Sequence, residues 1–151
     1  MGRRIVRTKP NEVDRQFSRF VEEGSFEQVA DHMQWKPSLN TPVDGKTPLH
    51  RAVERGDYKL VQFLLLNGAD PAIRDHRGDT VLHKAADMGR GDLLDLIFEY
   101  GGNPEWVDKK GRYADHRARE AGHKFIADHL LKRRTTGHGM SWWYHPRRPH
   151  K

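Results

Sequence analysis

Cysteine is absent from the 151-residue chain. That removes disulfides, thiolate metal ligands and cysteine nucleophiles together, and it fits an intracellular setting. No apolar run approaches the roughly 18 residues of a membrane span. The N-terminus carries arginines where a secretory signal would carry an apolar stretch. Val6 stands where a myristoylation signal needs Ser or Thr. Catalytic signatures are missing too: no nucleophile elbow, no phosphate-binding loop, no dinucleotide fingerprint. The expectation is a cytoplasmic, non-enzymatic protein with no cofactor, no metal and no membrane contact.

Acid is missing from one end. Residues 132–151 hold six bases and no Asp or Glu. Residues 1–15 hold five bases and two acids, and residues 16–131 hold sixteen bases against nineteen acids. A mildly acidic body thus lies between basic ends, an asymmetry that points to an anionic partner. Apolar residues make up 35% of the chain and charged residues 32%. That is lean for one globular core but suits a solenoid, in which each unit buries its faces only against its neighbours.

What is present is a period. Gly45, Gly78 and Gly111 recur at steps of 33, as do His50, His83 and His116, and Gly56, Gly89 and Gly122. Thr47 and Thr80 keep the step, as do Gly68 and Gly101. One period explains itself chemically. Asp44-Gly45 is a turn pair. Thr47 is a good N-cap, and Pro48 falls at the first helical position. Leu49, Ala52 and Val53 make a short stripe at helical spacing, which Gly56 stops. Leu60, Val61, Leu64 and Leu65 make a second stripe, ended by Asn67-Gly68-Ala69-Asp70-Pro71. The unit reads turn, short helix, turn, longer helix, loop.

These residues resemble the ankyrin repeat. Thr47-Pro48-Leu49-His50-Arg51-Ala52 matches that family's T-P-L-H-x-A pattern, and Leu64 to Asp70 matches the ending of its second helix. A further copy reads Thr80-Val81-Leu82-His83-Lys84-Ala85. The resemblance implies an all-α ankyrin-repeat solenoid of helix-turn-helix units, here with basic irregular termini. Residues 1–11 read as a basic arm and residues 12–131 as about four repeats, near 12–41, 42–74, 75–107 and 108–131. Residues 132–151 read as a basic aromatic tail. The first copy is worn but keeps two stripes, Phe17, Phe20, Val21 and then Phe26, Val29, Ala30, Met33, with Gly24 between. A cap with one wet face should look like this.

The fourth copy departs from the pattern. Tyr113 replaces the capping Thr, and Asp115 stands where the motif has Leu. A buried carboxylate is costly unless paired. Either Asp115 meets water or a cation reaches it, and Arg119, Arg147 and Arg148 are the candidates. The resemblance also gives His50, His83 and His116 a structural role, bonding the turn backbone of a neighbouring repeat. His116, His123 and His129 do not show the i, i+4 spacing of a zinc helix.

The resemblance places partner contacts on the turn tips and first helices, the concave side. By position, the candidate contact residues are His76, Arg77 and Asp79, with Met88 on the following helix, then Lys109, Lys110 and Arg112. In the tail, Trp142, Trp143 and Tyr144 adjoin Arg147 and Arg148. Basic residues with aromatics suit nucleic acid. Trp, Tyr and Arg equally anchor protein interfaces, and the aromatics could also fold back on the last repeat. The reading is a non-enzymatic protein-interaction module acting as a small adaptor, complex subunit or inhibitor through the turn tips and the basic aromatic tail. The alternative is a ribonucleoprotein or nucleic-acid-associated protein held through its basic termini.

Overall fold

The structure of the protein, a computed structural model, describes residues 11–136. Among them are eight α-helices in four successive pairs: α1 (Glu12–Glu23) and α2 (Phe26–His32), α3 (Pro48–Arg55) and α4 (Tyr58–Leu66), α5 (Val81–Met88) and α6 (Gly91–Glu99), α7 (Ala114–Glu120) and α8 (Lys124–Thr135). The first helix of each pair packs on the first helix of the next, α1 on α3, α3 on α5 and α5 on α7, so these helices form one inner row. The second helices lie behind them. The all-α repeat solenoid expected from the sequence is the architecture found.

Local chemistry sets the unit. Thr47 caps α3, its hydroxyl oxygen accepting from the His50 N–H at 3.3 Å, and Pro48 follows at the first helical position. Gly56 ends the helix with φ 74°, a left-handed value that a side chain would strain. Asp57 then caps α4 by accepting from Leu60 N–H. The Asp44-Gly45 tip has positive φ at both residues, 52° and 82°, and closes with Val43 and Lys46 exchanging backbone bonds of 2.9 and 3.2 Å. The next two turns keep a positive-φ glycine and a closing backbone bond, Asp75 to Asp79 and Asp108 to Arg112, and add a buried aspartate. The Asp75 carboxylate accepts from the N–H groups of Arg77 and Asp79, and that of Asp108 from Lys110 and Arg112, all at 2.9–3.0 Å.

The core is continuous from Phe17 and Val21 in α1, through Leu49, Leu60, Leu64, Leu82, Leu93 and Ile97, to Leu130 in α8. The worn first repeat is a genuine helix pair: Phe17, Val21 and Val29 are fully buried, and Gly24 ends α1 at φ 78°.

The fourth pair solves the Asp115 problem with a residue outside the three sequence candidates. Asp115 is only 3% exposed, and the Arg134 guanidinium reaches it from the last turn of α8 at 2.9 Å. The same guanidinium lies 3.8 Å over the Tyr113 ring. Arg119 instead pairs with Asp128 at 3.4 Å, and Arg147 and Arg148 lie outside the described residues. Tyr113 and Asp115, the two departures from the motif, are therefore one device, a cation held between a ring and a carboxylate. Arg134→Met should cost about 3 kcal/mol by stranding a buried carboxylate. Asp115→Leu/Arg134→Met should recover most of it, because an apolar pair of similar volume replaces a buried ion pair at little net cost. Urea denaturation of both variants checks this.

Candidate functional site

The turns and the inner helices form one surface, and a cationic column runs along it. Arg51, Lys84 and Arg117 occupy the same position in successive repeats, 33 residues apart. Each ties its turn to the helix before it. Arg51 donates to Glu22 at 2.7 Å and to the Val43 carbonyl. Lys84 meets Asp75 at 2.9 Å and Glu54 at 3.1 Å. Arg117 donates to Asp79 at 2.9 Å and Asp108 at 3.0 Å, and its other edge takes Asp87.

The periodicity explains why Arg117 is the most connected. Lys46 and Glu54 pair at 2.8 Å in one repeat, and Arg112 and Glu120, at equivalent positions, pair at 2.6 Å two repeats on. In the repeat between them the same positions are Asp79 and Asp87, two acids. They need an external cation, and Arg117 from the next repeat supplies it.

Burial opposes charge on Asp75. Lys84 and the N–H groups of Asp79 and Arg77 outweigh it and hold this carboxyl down at about 2. Asp108 is likewise opposed by burial, yet the Arg112 N–H, Arg117 and the Lys110 N–H hold it at about 2.

Two histidines stitch the repeats. The His50 ring bonds the Thr47 hydroxyl at 2.8 Å and the Asp79 carbonyl at 3.0 Å. The His83 ring bonds the Thr80 hydroxyl at 2.9 Å and the Arg112 carbonyl at 3.2 Å. Burial depresses both pKa values below the ordinary 6.5, against the pull of those carbonyls. His116 departs from the expectation. No described repeat follows it, and its side chain is 48% exposed beside Tyr113. His123 bonds the Asp87 carbonyl at 3.0 Å.

A consequence is acid lability above the carboxylate range. The unfolded chain takes protons on these histidines near pH 6.5 while the folded one resists, so stability is complete above that pH and is lost as pH falls below it. The melting temperature should drop between pH 7 and pH 5, and the slope should flatten in His50→Gln/His83→Gln. A second loss, from Asp75 and Asp108, belongs between about pH 4 and pH 2. An equal slope in the double variant would assign the first loss elsewhere.

The candidate contact residues divide by burial. His76, Arg77, Lys109 and Lys110 are exposed at the turns. The His76 ring lies against Gly45, and the Lys109 stem lies against Gly78, so each tip leans on the one before. Arg112 is half-buried, engaged by Asp108 and Glu120. Met88 is half-buried with its methyl near Gly56. Asp79 differs: it is 6% exposed and committed to Arg117, an internal member of the network. Trp142, Trp143, Tyr144, Arg147 and Arg148 lie outside the described residues.

Arg117, Lys84 and Arg134 were not singled out as functional from the sequence. A signal for the first two existed in the 33-residue column of cations. A further depression of about 170 Å³ lies between Glu22, Lys46, Arg51, Glu54 and Arg55. Among the described residues, no group of three or more His, Asp or Glu is arranged to hold a metal ion, and no helix is long and apolar enough to cross a membrane.

Stacked helix pairs, projecting turns and histidine stitching from helix to following turn define a helical-repeat protein with a composite turn-and-helix surface. A family model described as ankyrin repeats, in three copies, matches residues 49–139. The chain belongs to the ankyrin-repeat family. That family generally provides protein–protein interaction modules and is typically non-enzymatic.

Proposed function

We propose that this protein is a small non-enzymatic adaptor, complex subunit or inhibitor, acting inside the cell, that grips a protein partner with its turn tips and inner helices. One observation carries the reading. The inner-row charges neutralise each other within the fold, whereas among the described residues the exposed Arg77, Lys109 and Lys110 at the tips of the third and fourth repeats pair with no carboxylate. Arg117, Lys84 and Arg51 hold the surface rigid, and a rigid surface loses little entropy on binding. The nucleic-acid alternative rests on the basic termini, where a salt-dependent affinity would reveal it.

The test is positional. A photo-cross-linking amino acid at Met88, on the inner face, should capture a partner protein from cell extract. The same group at Gln62, on the outer helix α4, should not. Capture from Gln62 in place of Met88 would move the interface to the other side of the solenoid.

A further inference from the structure

We propose that the turn ridge of the third and fourth repeats, formed by Arg77, Lys109 and Lys110, docks an acidic peptide segment of a protein partner. This rests on the reading that the turn-and-helix surface is the interface, and it adds the chemistry of what is held.

The argument begins with how burial sorts the charges of these turns. Their acids point inward. Asp75, Asp79 and Asp108 are 7%, 6% and 6% exposed, and are consumed by Lys84, Arg117, Arg112 and turn N–H groups. Their remaining bases point outward. Arg77, Lys109 and Lys110 are exposed, and among the described residues none of them pairs with a carboxylate; the turn carboxylates instead engage Lys84, Arg112 and Arg117. The two turns contain three acids and four bases, yet the acids are buried and the exposed charges are bases. A mildly acidic body thus presents a local cationic strip.

The strip is also pre-formed. The Asp75 and Asp108 carboxylates fix both turns from inside. Arg74 bridges them, donating from one guanidinium nitrogen to both the Gly78 and the Val107 carbonyls. The Lys109 stem lies against Gly78 so closely that an added Cβ there would come within 2.6 Å of its Cγ. A lysine held by its stem loses less rotamer freedom when its ammonium is engaged.

The strip's limits name the partner class. At the preceding tip the position of Arg77 and Lys110 is Asp44, so the sign reverses after two repeats. On the inner helices beside the strip lie two further acids, Asp87 and Glu120, paired with Arg117 and Arg112. A nucleic acid presents a continuous run of phosphates and needs a longer basic track. A short acidic segment fits between those acidic borders. Neighbouring helices pack about 8–10 Å apart, and a polyproline-II-like extended chain advances about 3.1 Å per residue with three residues per turn, so side chains three apart share one side. Carboxylates about three residues apart would therefore meet successive tips.

The experiment uses the full chain and a fluorescein-labelled dodecapeptide, (Glu-Ser-Ser)4, with (Gln-Ser-Ser)4 as its neutral counterpart and a five-residue oligothymidylate as the nucleic-acid probe. Fluorescence anisotropy at low ionic strength should show the Glu peptide binding at least about tenfold more tightly than the Gln peptide, with the difference vanishing at high salt. Arg77→Ser/Lys109→Ser/Lys110→Ser should abolish the difference. Arg19→Ser/Lys59→Ser/Lys124→Ser, which removes the same number of exposed cations elsewhere, should retain it. An undiminished difference in the ridge variant, or equal loss in both variants, overturns the proposal. So does an oligothymidylate that binds more tightly than the Glu peptide and is lost with the ridge cations. If Met88 still captures a partner while the Glu peptide shows no preference for the ridge, the interface reading stands and the acidic-peptide inference alone fails. Capture at Gln62 instead would count against the interface itself.

Discussion

Replacing Leu64 with Asp is expected to melt the repeat array as a whole. Leu64 is fully buried at the centre of the core, on α4, which packs on both α3 and α6. Deleting such a leucine alone costs about 2–5 kcal/mol. A carboxylate in its place has no cation within the core to meet, and an unpaired buried charge costs about 3–5 kcal/mol. Domain stabilities are about 5–15 kcal/mol, so either penalty is a large share of the total. The effect should spread, because each repeat is stable only through its neighbours. Circular dichroism should show a lower, broader transition, with helix lost beyond α4. Leu66→Asp is the control: two residues on in the same helix, Leu66 is 65% exposed, and its replacement should shift the melting temperature little. Equal effects at the two positions would mean that the inward face of α4 has been misplaced.

The repeat architecture was legible because one local signal was written several times. Thr47-Pro48-Leu49-His50 specifies a cap, a helix start and a histidine tie in adjacent residues. The glycines 33 apart give the same boundaries from backbone needs alone. The first helix pair was legible without the motif, since two stripes around Gly24 suffice. The Asp115 partner was not legible. Arg134 lies 19 residues away and reaches it only because α8 runs back along α7, whereas helical spacing favours Arg119, which faces Asp128 instead. Tyr113 looked like a failed cap, and its role emerges only with a guanidinium over its ring. Asp79 shows the opposite difficulty. Turn position suggested exposure, but a cation from the next repeat draws it inward. The tail aromatics offered no period and no helical stripe, so composition alone supported three readings of them.

Arg117→Met should be the most damaging single change on the inner surface. The guanidinium is 13% exposed and meets three carboxylates, of which Asp108 is 2% exposed and Asp79 8%. The arrangement holds this arginine in its charged form despite burial. Methionine keeps much of the packing and removes the charge. Asp108 then still has Arg112 at 2.9 Å, and Asp79 has Lys84 only at 3.9 Å, so the loss concentrates on Asp79 and its neighbour Asp87. Stranding a buried charge costs about 3–5 kcal/mol, and the surviving Arg112 contact puts the expected loss near 3. Two further measurements separate electrostatics from packing. Arg117→Met/Asp79→Asn/Asp87→Asn removes the repelling pair together with its cation, and should regain more than half of the loss. Arg117→Lys keeps one charge but cannot present a planar fork to two carboxylates at once, so it should fall between wild type and Met. If the triple variant is no more stable than Arg117→Met, the arginine acts by filling space, and the acid pair in the third repeat needs no partner. If it recovers, the acid pair of the third repeat draws its neutralising charge from the fourth docked upon it. The ridge cations then stand on a base whose acids were first neutralised from the neighbouring repeat.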